Sequence, residues 1–203
     1  MMSIASRRIV LQAALVALFL AFAYANFARW HETGRPVGLG ATLLEAFTAV
    51  LFVIRRPPLA TSARPVAWIS ASVGAFAMLG ARPVANPDAG PLAVFELVQV
   101  AGFVIVLVAL GALGRSFGIV AANRGIKTAG LYSLVRHPAY TGYLVSYLGY
   151  VAENASLRNA TLLVVATGAQ LVRMTEEERM LSFDAGYRTY VAHVRRRLIP
   201  YVY

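Results

Sequence analysis

Arg136-His137-Pro138-Ala139-Tyr140-Thr141-Gly142 runs directly into an apolar segment, and Glu176-Glu177-Glu178 stands where the next apolar segment ends. Charged and imidazole groups are costly to hold near hydrocarbon, so two such clusters bracketing one hairpin mark a site. Proline suits the first position of a helix, where its missing N–H would have had no partner. His137 then stands at the cap, and the free N–H groups of the first turn, with the helix dipole, attract an anion such as a carboxylate, reinforced by Arg136. The same residues would serve equally as an interfacial helix start with an arginine on the positive side of a membrane. Acidic residues on a strongly basic face suit a cation: Arg136, Arg173 or a ligand's ammonium.

Tyr140, Tyr143, Tyr147 and Tyr150 recur at steps of three, four and three, which sets four rings along one helical face. Tyr147 lies too deep for an interfacial belt, so this face meets another helix or lines a cavity in which ring faces attract a cation. Arg173 precedes Glu177 by four residues, a spacing worth about 0.2–0.5 kcal/mol on an exposed helix. Glu45, Glu96 and Gln99 fall inside apolar runs. Such carboxylates are functional candidates by default, yet both are close enough to helix ends to reach the interface or an arginine, and Glu96 with Gln99 would tie helices together. His31 and His193 stand far from His137, which leaves no metal-ligand spacing, and no metal site is expected.

These groups need elements to position them. The 203 residues are 59% hydrophobic and 14% charged, with a mean hydropathy of +0.63, well beyond a soluble domain with about a quarter of its residues charged. Cysteine is absent, which excludes disulfides, thiolate metal sites and a thiol nucleophile. The net charge of +10 is spread between apolar runs with no module to read a groove, so no nucleic-acid partner is expected.

Six apolar stretches stand out: Ile9 to Ala28, Leu39 to Ile54, Val66 to Gly80, Leu92 to Leu113, Tyr140 to Val151 and Leu157 to Val172. Four fall short of the roughly 20 residues that cross hydrocarbon and need flanking residues or a thinned bilayer. With six spans, fifteen Lys and Arg lie on one side, and Arg29, Arg35, Arg82 and Arg158 on the other. That asymmetry places both termini and both polar clusters in the cytoplasm. The first run, with Ala23-Tyr24-Ala25 at its end, is long for a signal peptide, and its removal would leave an odd number of spans. The expected fold is an all-α, polytopic membrane helical bundle of about six helices: an N-terminal unit of about four spans over 1–113 and a polar C-terminal unit over 114–203. The expected location is a bacterial inner membrane.

Gly130-Leu131-Tyr132 followed by the Arg136 to Gly142 run resembles the cofactor motif of the isoprenylcysteine carboxyl methyltransferase family and its phospholipid methyltransferase relatives. Arg173, Glu177, Glu178, Leu181, Phe183, Tyr187, Tyr190 and Arg197-Leu198-Ile199-Pro200 extend the likeness over roughly Leu113 to Pro200. Asp184 departs from it, standing where a glycine commonly follows the phenylalanine.

The resemblance implies that 114–203 is a methyltransferase core of cofactor loop, helical hairpin and cytoplasmic tail, with S-adenosylmethionine as methyl donor. It implies cofactor binding by Lys127, Gly130, Tyr132, Arg136, His137, Pro138, Tyr140, Gly142, Glu177 and Glu178. Glu178, with Glu177, would take the donor's ammonium, and Arg136, His137 and the helix start its carboxylate. Arg173 or Arg197 would steer an anionic acceptor, and Glu177 would serve as proton acceptor should the acceptor need one. The acceptor is expected to be lipophilic, a carboxylate of the isoprenylcysteine kind or a lipid head group, entering from the bilayer. Two other readings compete: an NADPH-dependent sterol-type membrane reductase, and a non-enzymatic small transporter or scaffold using Glu45 and Glu96.

Overall fold

The computed structural model describes residues 4–84 and 93–200. Seven α-helices lie among them: α1 (Ile4–Thr33), α2 (Pro36–Ile54), α3 (Pro65–Phe76), α4 (Ala93–Leu113), α5 (Pro138–Glu153), α6 (Leu157–Leu181) and α7 (Ala185–His193). All six apolar stretches fall on helices, α3 being extended by a 3-10 turn, Ala77–Gly80. The expected onset of the fourth stretch at Leu92 lies outside the described residues. Pro36, Pro65 and Pro138 open α2, α3 and α5, where no N–H is needed. Ser156 and Asp184 cap α6 and α7 by accepting from the N–H of Asn159 and Gly186.

Among the described residues three segments are long and apolar enough to cross a membrane: Ile9–Thr33, Pro36–Ile54 and Ala93–Ser116, with Pro65–Gly80 a shorter apolar helix. The protein is an all-α bundle of the membrane type. The apolar part of the sixth stretch stops at Val172, but α6 continues to Leu181, so Arg173 and the glutamate triplet ride on the helix itself.

In the bundle α1 packs on α2, α2 on α4, α4 most closely on α5, α5 on α6 and α6 on α3. The apolar core joins Leu44, Leu51 and Phe52 of α2 to Val106 and Leu110 of α4 and to Phe117 beyond it. α4 meets α5 through small residues. A Cβ on Gly102 would stand 2.7 Å from the Gly142 carbonyl, and one on Gly142 would stand 2.7 Å from Val106 Cγ2. This close approach lets two short faces exchange many weak contacts without large side chains.

The connections gather at two ends. At one, Arg35 pairs with Glu153 and with Glu96 (3.5 Å), Glu153 accepts from Gln99 (2.7 Å), and Asn159 Oδ1 accepts from the Arg82 N–H (3.1 Å). Glu96 and Gln99 therefore do bind helices together, as their composition suggested. At the other end, β1 (Ala60–Thr61) pairs antiparallel with β2 (Ala122–Asn123). There the loop after α2 lies against the loop after α4, with the Arg56 N–H on the Arg115 carbonyl (2.8 Å) and the Ser62 N–H on the Ala121 carbonyl (3.0 Å). Gln12, near the start of α1, donates to the Phe52 carbonyl at the same end (2.8 Å).

Candidate functional site

Helix geometry sends the three adjacent glutamates of α6 in three directions, because successive side chains diverge by about 100°. Glu176 turns to the α2–α3 loop and pairs with Arg64 (3.2 Å). Glu178 turns to the start of α5, where His137 Nε2 (3.0 Å), Arg136 Nη1 (3.0 Å) and Arg197 Nη2 (2.9 Å) converge on its two oxygens. Glu177, between them, accepts from the Tyr140 hydroxyl (2.6 Å), lies 3.4 Å from Arg173 Nε and faces His137 Nδ1 at 3.9 Å.

Two forces act on the Glu178 carboxyl. Burial pushes its pKa up, and the His137 hydrogen bond with the charges of His137, Arg136 and Arg197 outweighs it, holding the group below the ordinary carboxylate value. An ionised carboxylate only accepts, so His137 Nε2 carries a hydrogen and donates it. His137 is buried at the helix cap, with Pro138 as first residue of α5. Arg136 is fixed further through Nη2 on the Arg195 carbonyl (3.1 Å).

The tail closes this corner. The N–H groups of Arg136 and His137 donate to the carbonyls of Arg196 and Arg197 (both 2.9 Å), and the Thr141 hydroxyl donates to the Leu198 carbonyl (2.6 Å). Tyr190 of α7 donates its hydroxyl to the Tyr132 carbonyl (2.6 Å). Burial, with the Glu177 charge second, raises the Tyr132 pKa far above the ordinary phenol value, and burial lifts Tyr190 to about 12. Both phenols stay neutral, and Tyr190 acts as the donor. Asp184, the departure from the family pattern, accepts from the Asn123 amide (3.0 Å) and caps α7, so it takes over the local turn.

A cavity of about 410 Å³ opens beside these groups. At its polar end stand Lys127, Tyr132, Arg136, His137, Tyr140 and Glu177, with Arg173 alongside. From there it follows α5 inward past Tyr143, Tyr147 and Tyr150. The four-tyrosine face expected to meet a helix or line a cavity thus lines one.

Of the residues that the resemblance singles out, Gly130, Pro138, Gly142, Glu178 and Arg197 do not line this cavity. Gly142 faces α4 instead of shaping the pocket, because α4 comes too close for any side chain. Gly130 holds a left-handed turn, φ 63°, at the surface. Arg197 is drawn to Glu178, whereas Arg173 is buried along the cavity with its guanidinium 5.2 Å from the Tyr140 ring centroid.

Sequence reasoning missed several cavity residues. The stretch from Ser116 to Ile126 carries no motif, and only its pairing with the α2–α3 loop brings it over the opening. Gln170 gave a signal, an amide within an apolar run. Its Nε2 donates to the Gly74 carbonyl (3.0 Å) and its Oε1 is buried without a partner.

A helical membrane bundle with a charge-lined chamber at one end, leading into an aromatic and apolar interior, is the class of protein that these features define. Residues 91–183 match the phospholipid methyltransferase family. The match takes in α4, which the motif resemblance did not reach, and stops before the tail. It implies membrane methyltransferase activity. No curated protein matches the chain.

Proposed function

We propose that the chain is an S-adenosylmethionine-dependent methyltransferase of six membrane spans, α3, α5 and α6 joining the three long apolar segments. Both termini and the charged chamber would lie on the cytoplasmic face of a bacterial inner membrane, and the acceptor would be lipophilic, reaching the cavity from the bilayer. One observation carries this reading. A single cavity joins a charged end, Lys127, Arg136 and Glu177, to an apolar interior at Phe103 and Leu110. A polar nucleotide donor and a lipid-soluble acceptor can meet there away from water.

The donor set fits the donor's chemistry: a carboxylate for an ammonium, cations for a carboxylate, and rings for a purine. When bound, S-adenosylmethionine supplies a methyl group on a sulfonium, which reacts by in-line displacement. The residues have only to align and exclude water. Among the three glutamates, Glu177 is the one facing the cavity, so we assign it the donor's ammonium, with Lys127 and Arg136 toward the carboxylate. Glu178 acts one step back, fixing Arg136 and His137. Arg173 is placed to orient an anionic acceptor, and a protic acceptor would pass its proton to Glu177. The rival reading that needs both Glu45 and Glu96 as ion carriers loses support, because Glu96 is held by Arg35.

Calorimetric titration of purified protein in detergent with S-adenosylhomocysteine and with NADPH tests the proposal. Homocysteine-nucleoside binding is expected, weakened about tenfold or more by Glu177→Gln as a charge-assisted bond is lost. Binding of NADPH alone would overturn it. Labelled methyl transfer into a membrane extract would then identify the acceptor.

A further inference from the structure

The main cavity does not end in hydrocarbon. At the end of the bundle away from the charged chamber its wall holds Asn26 of α1, Gln99 of α4 and Tyr150 of α5. Gln99 is only 3% exposed. Its Nε2 donates to Glu153 Oε2 (2.7 Å) and to the Phe95 carbonyl (3.4 Å). A carboxylate paired with Arg35 only accepts, so this bond fixes which way the amide is turned. The amide oxygen is left as an acceptor, and among the described residues no donor reaches it. Asn26 repeats the pattern on α1: Nδ2 is taken by the Phe22 carbonyl (3.0 Å), and no donor among the described residues reaches Oδ1. The Tyr150 hydroxyl has no partner among them either.

Between this end and the chamber the wall includes Leu44, Phe103 and Leu110, interrupted on the α2 side by Glu45. Glu45 stands at the midpoint of α2 and pairs with no arginine among the described residues, contrary to the expectation from its place in the sequence. Tyr140 at the chamber and Tyr150 at the far end are about 15 Å apart along α5. A guest with a bare hydrocarbon end would strip water from two amide oxygens and return nothing. A hydroxyl instead donates to an amide oxygen and accepts from the Tyr150 hydroxyl. Buried groups of this kind reject the analogue that lacks their partner.

We infer that Gln99, Asn26 and Tyr150 form a binding site for a hydroxyl carried at the far end of a hydrocarbon chain, so that the cavity takes a guest polar at both ends with about 15 Å between them. The site stands on the cavity alone; that its guest is the methyl acceptor rests on the proposed function. In that role the site selects the acceptor's length and remote end and leaves the reacting end to the chamber.

Titration of the full chain in nonionic detergent with dodecanediol, bearing a hydroxyl at each end, and with dodecanol tests the site. Each probe's affinity in a variant is compared with its own in wild type, so partition into micelles cancels. Gln99→Met should weaken the diol about tenfold and dodecanol less than about twofold. Asn26→Leu, which breaks no bond to Glu153, should weaken the diol several-fold, spare dodecanol, and decide the matter should Gln99→Met not fold. Hexanediol, too short to reach both ends, should lose no more than hexanol does. Equal losses for dodecanediol and dodecanol would show that Gln99 only braces the helices and would overturn the inference, as would a wild type that does not bind the diol. Binding of S-adenosylhomocysteine should be unchanged in both variants. Selective loss of the diol, in a protein that binds no S-adenosylhomocysteine, would uphold the hydroxyl site and remove the methyltransferase reading.

Discussion

His137 Nε2 donates to Glu178 Oε1 across 3.0 Å, fastening the first turn of α5 to the last turns of α6. Glu178 also holds Arg136 and Arg197, so it neutralises three donors at once. Glu178→Gln should cost about 3 kcal/mol, because the cations stay close together without a counter-charge. Glu177→Gln leaves Arg173 with the Gly118 carbonyl (3.2 Å) and the Tyr140 ring, and should cost clearly less. Thermal unfolding in detergent should therefore rank Glu178→Gln below Glu177→Gln, while titration with S-adenosylhomocysteine ranks direct loss of binding the other way. A common order in both measurements would mean that the two glutamates do not divide support from binding.

The same cluster sets an acid limit. The folded-state pKa of Glu178 lies below its ordinary value of 4.5. The unfolded chain therefore takes up the proton first, and the stabilisation is complete above about pH 4.5 and is lost as pH falls through the lower folded value. Melting temperature plotted against pH should fall in acid more steeply for wild type than for Glu178→Gln. Parallel curves would show that Glu178 contributes nothing to acid unfolding.

How much of this was legible beforehand depends on the kind of contact. The tyrosine period in α5 told which side of the helix a cavity would use, since a 3.6-residue repeat fixes relative direction. Arg136 and Arg173 were legible as partners of the glutamate triplet because the two clusters sit at the polar ends of one hairpin, whereas the His137–Glu178 bond was not, since the sequence sets His137 toward a ligand's carboxylate. Glu45 was not: periodicity orients a side chain on its own helix but does not say which neighbour covers it. Gly142 failed for the same reason, as a glycine in a motif reads alike whether a ligand or a second helix approaches it. Leu198 illustrates the third gap, a tail residue buried against Tyr140 and Met174 by a chain reversal that no local pattern announces.

Gly142 gives a direct test of the α4–α5 seam. A Cβ there would lie 2.7 Å from Val106 Cγ2 and 2.8 Å from both the Gly102 carbonyl and the Val106 nitrogen. Two of these are backbone atoms that cannot swing away, so Gly142→Ala should lower stability by about 1–3 kcal/mol. Gly168, in α6, would place its Cβ with nothing within 4 Å. Gly168→Ala should gain about 0.5–1 kcal/mol from the lost glycine entropy. Thermal scans of the two variants should move in opposite directions; a neutral Gly142→Ala would mean the helices can part without cost.

The tail reaches the site only at second hand, and that separation can be measured. None of the described residues beyond Tyr190 lines the main cavity. Yet the carbonyls of Arg196 and Arg197 take the N–H groups of Arg136 and His137, and the Arg197 side chain takes Glu178. A chain stopped after Val194 should lose protection of the Arg136 and His137 amides in hydrogen exchange, while amides in the middle of α5 keep theirs. Thr141→Val, which removes only the bond to the Leu198 carbonyl, should cost about 1 kcal/mol. If the shortened chain also binds S-adenosylhomocysteine more weakly, the tail acts by holding Arg136 and His137 in place, because it supplies no wall of its own. Unchanged exchange at Arg136 and His137 would show that α5 and α6 hold this corner without it.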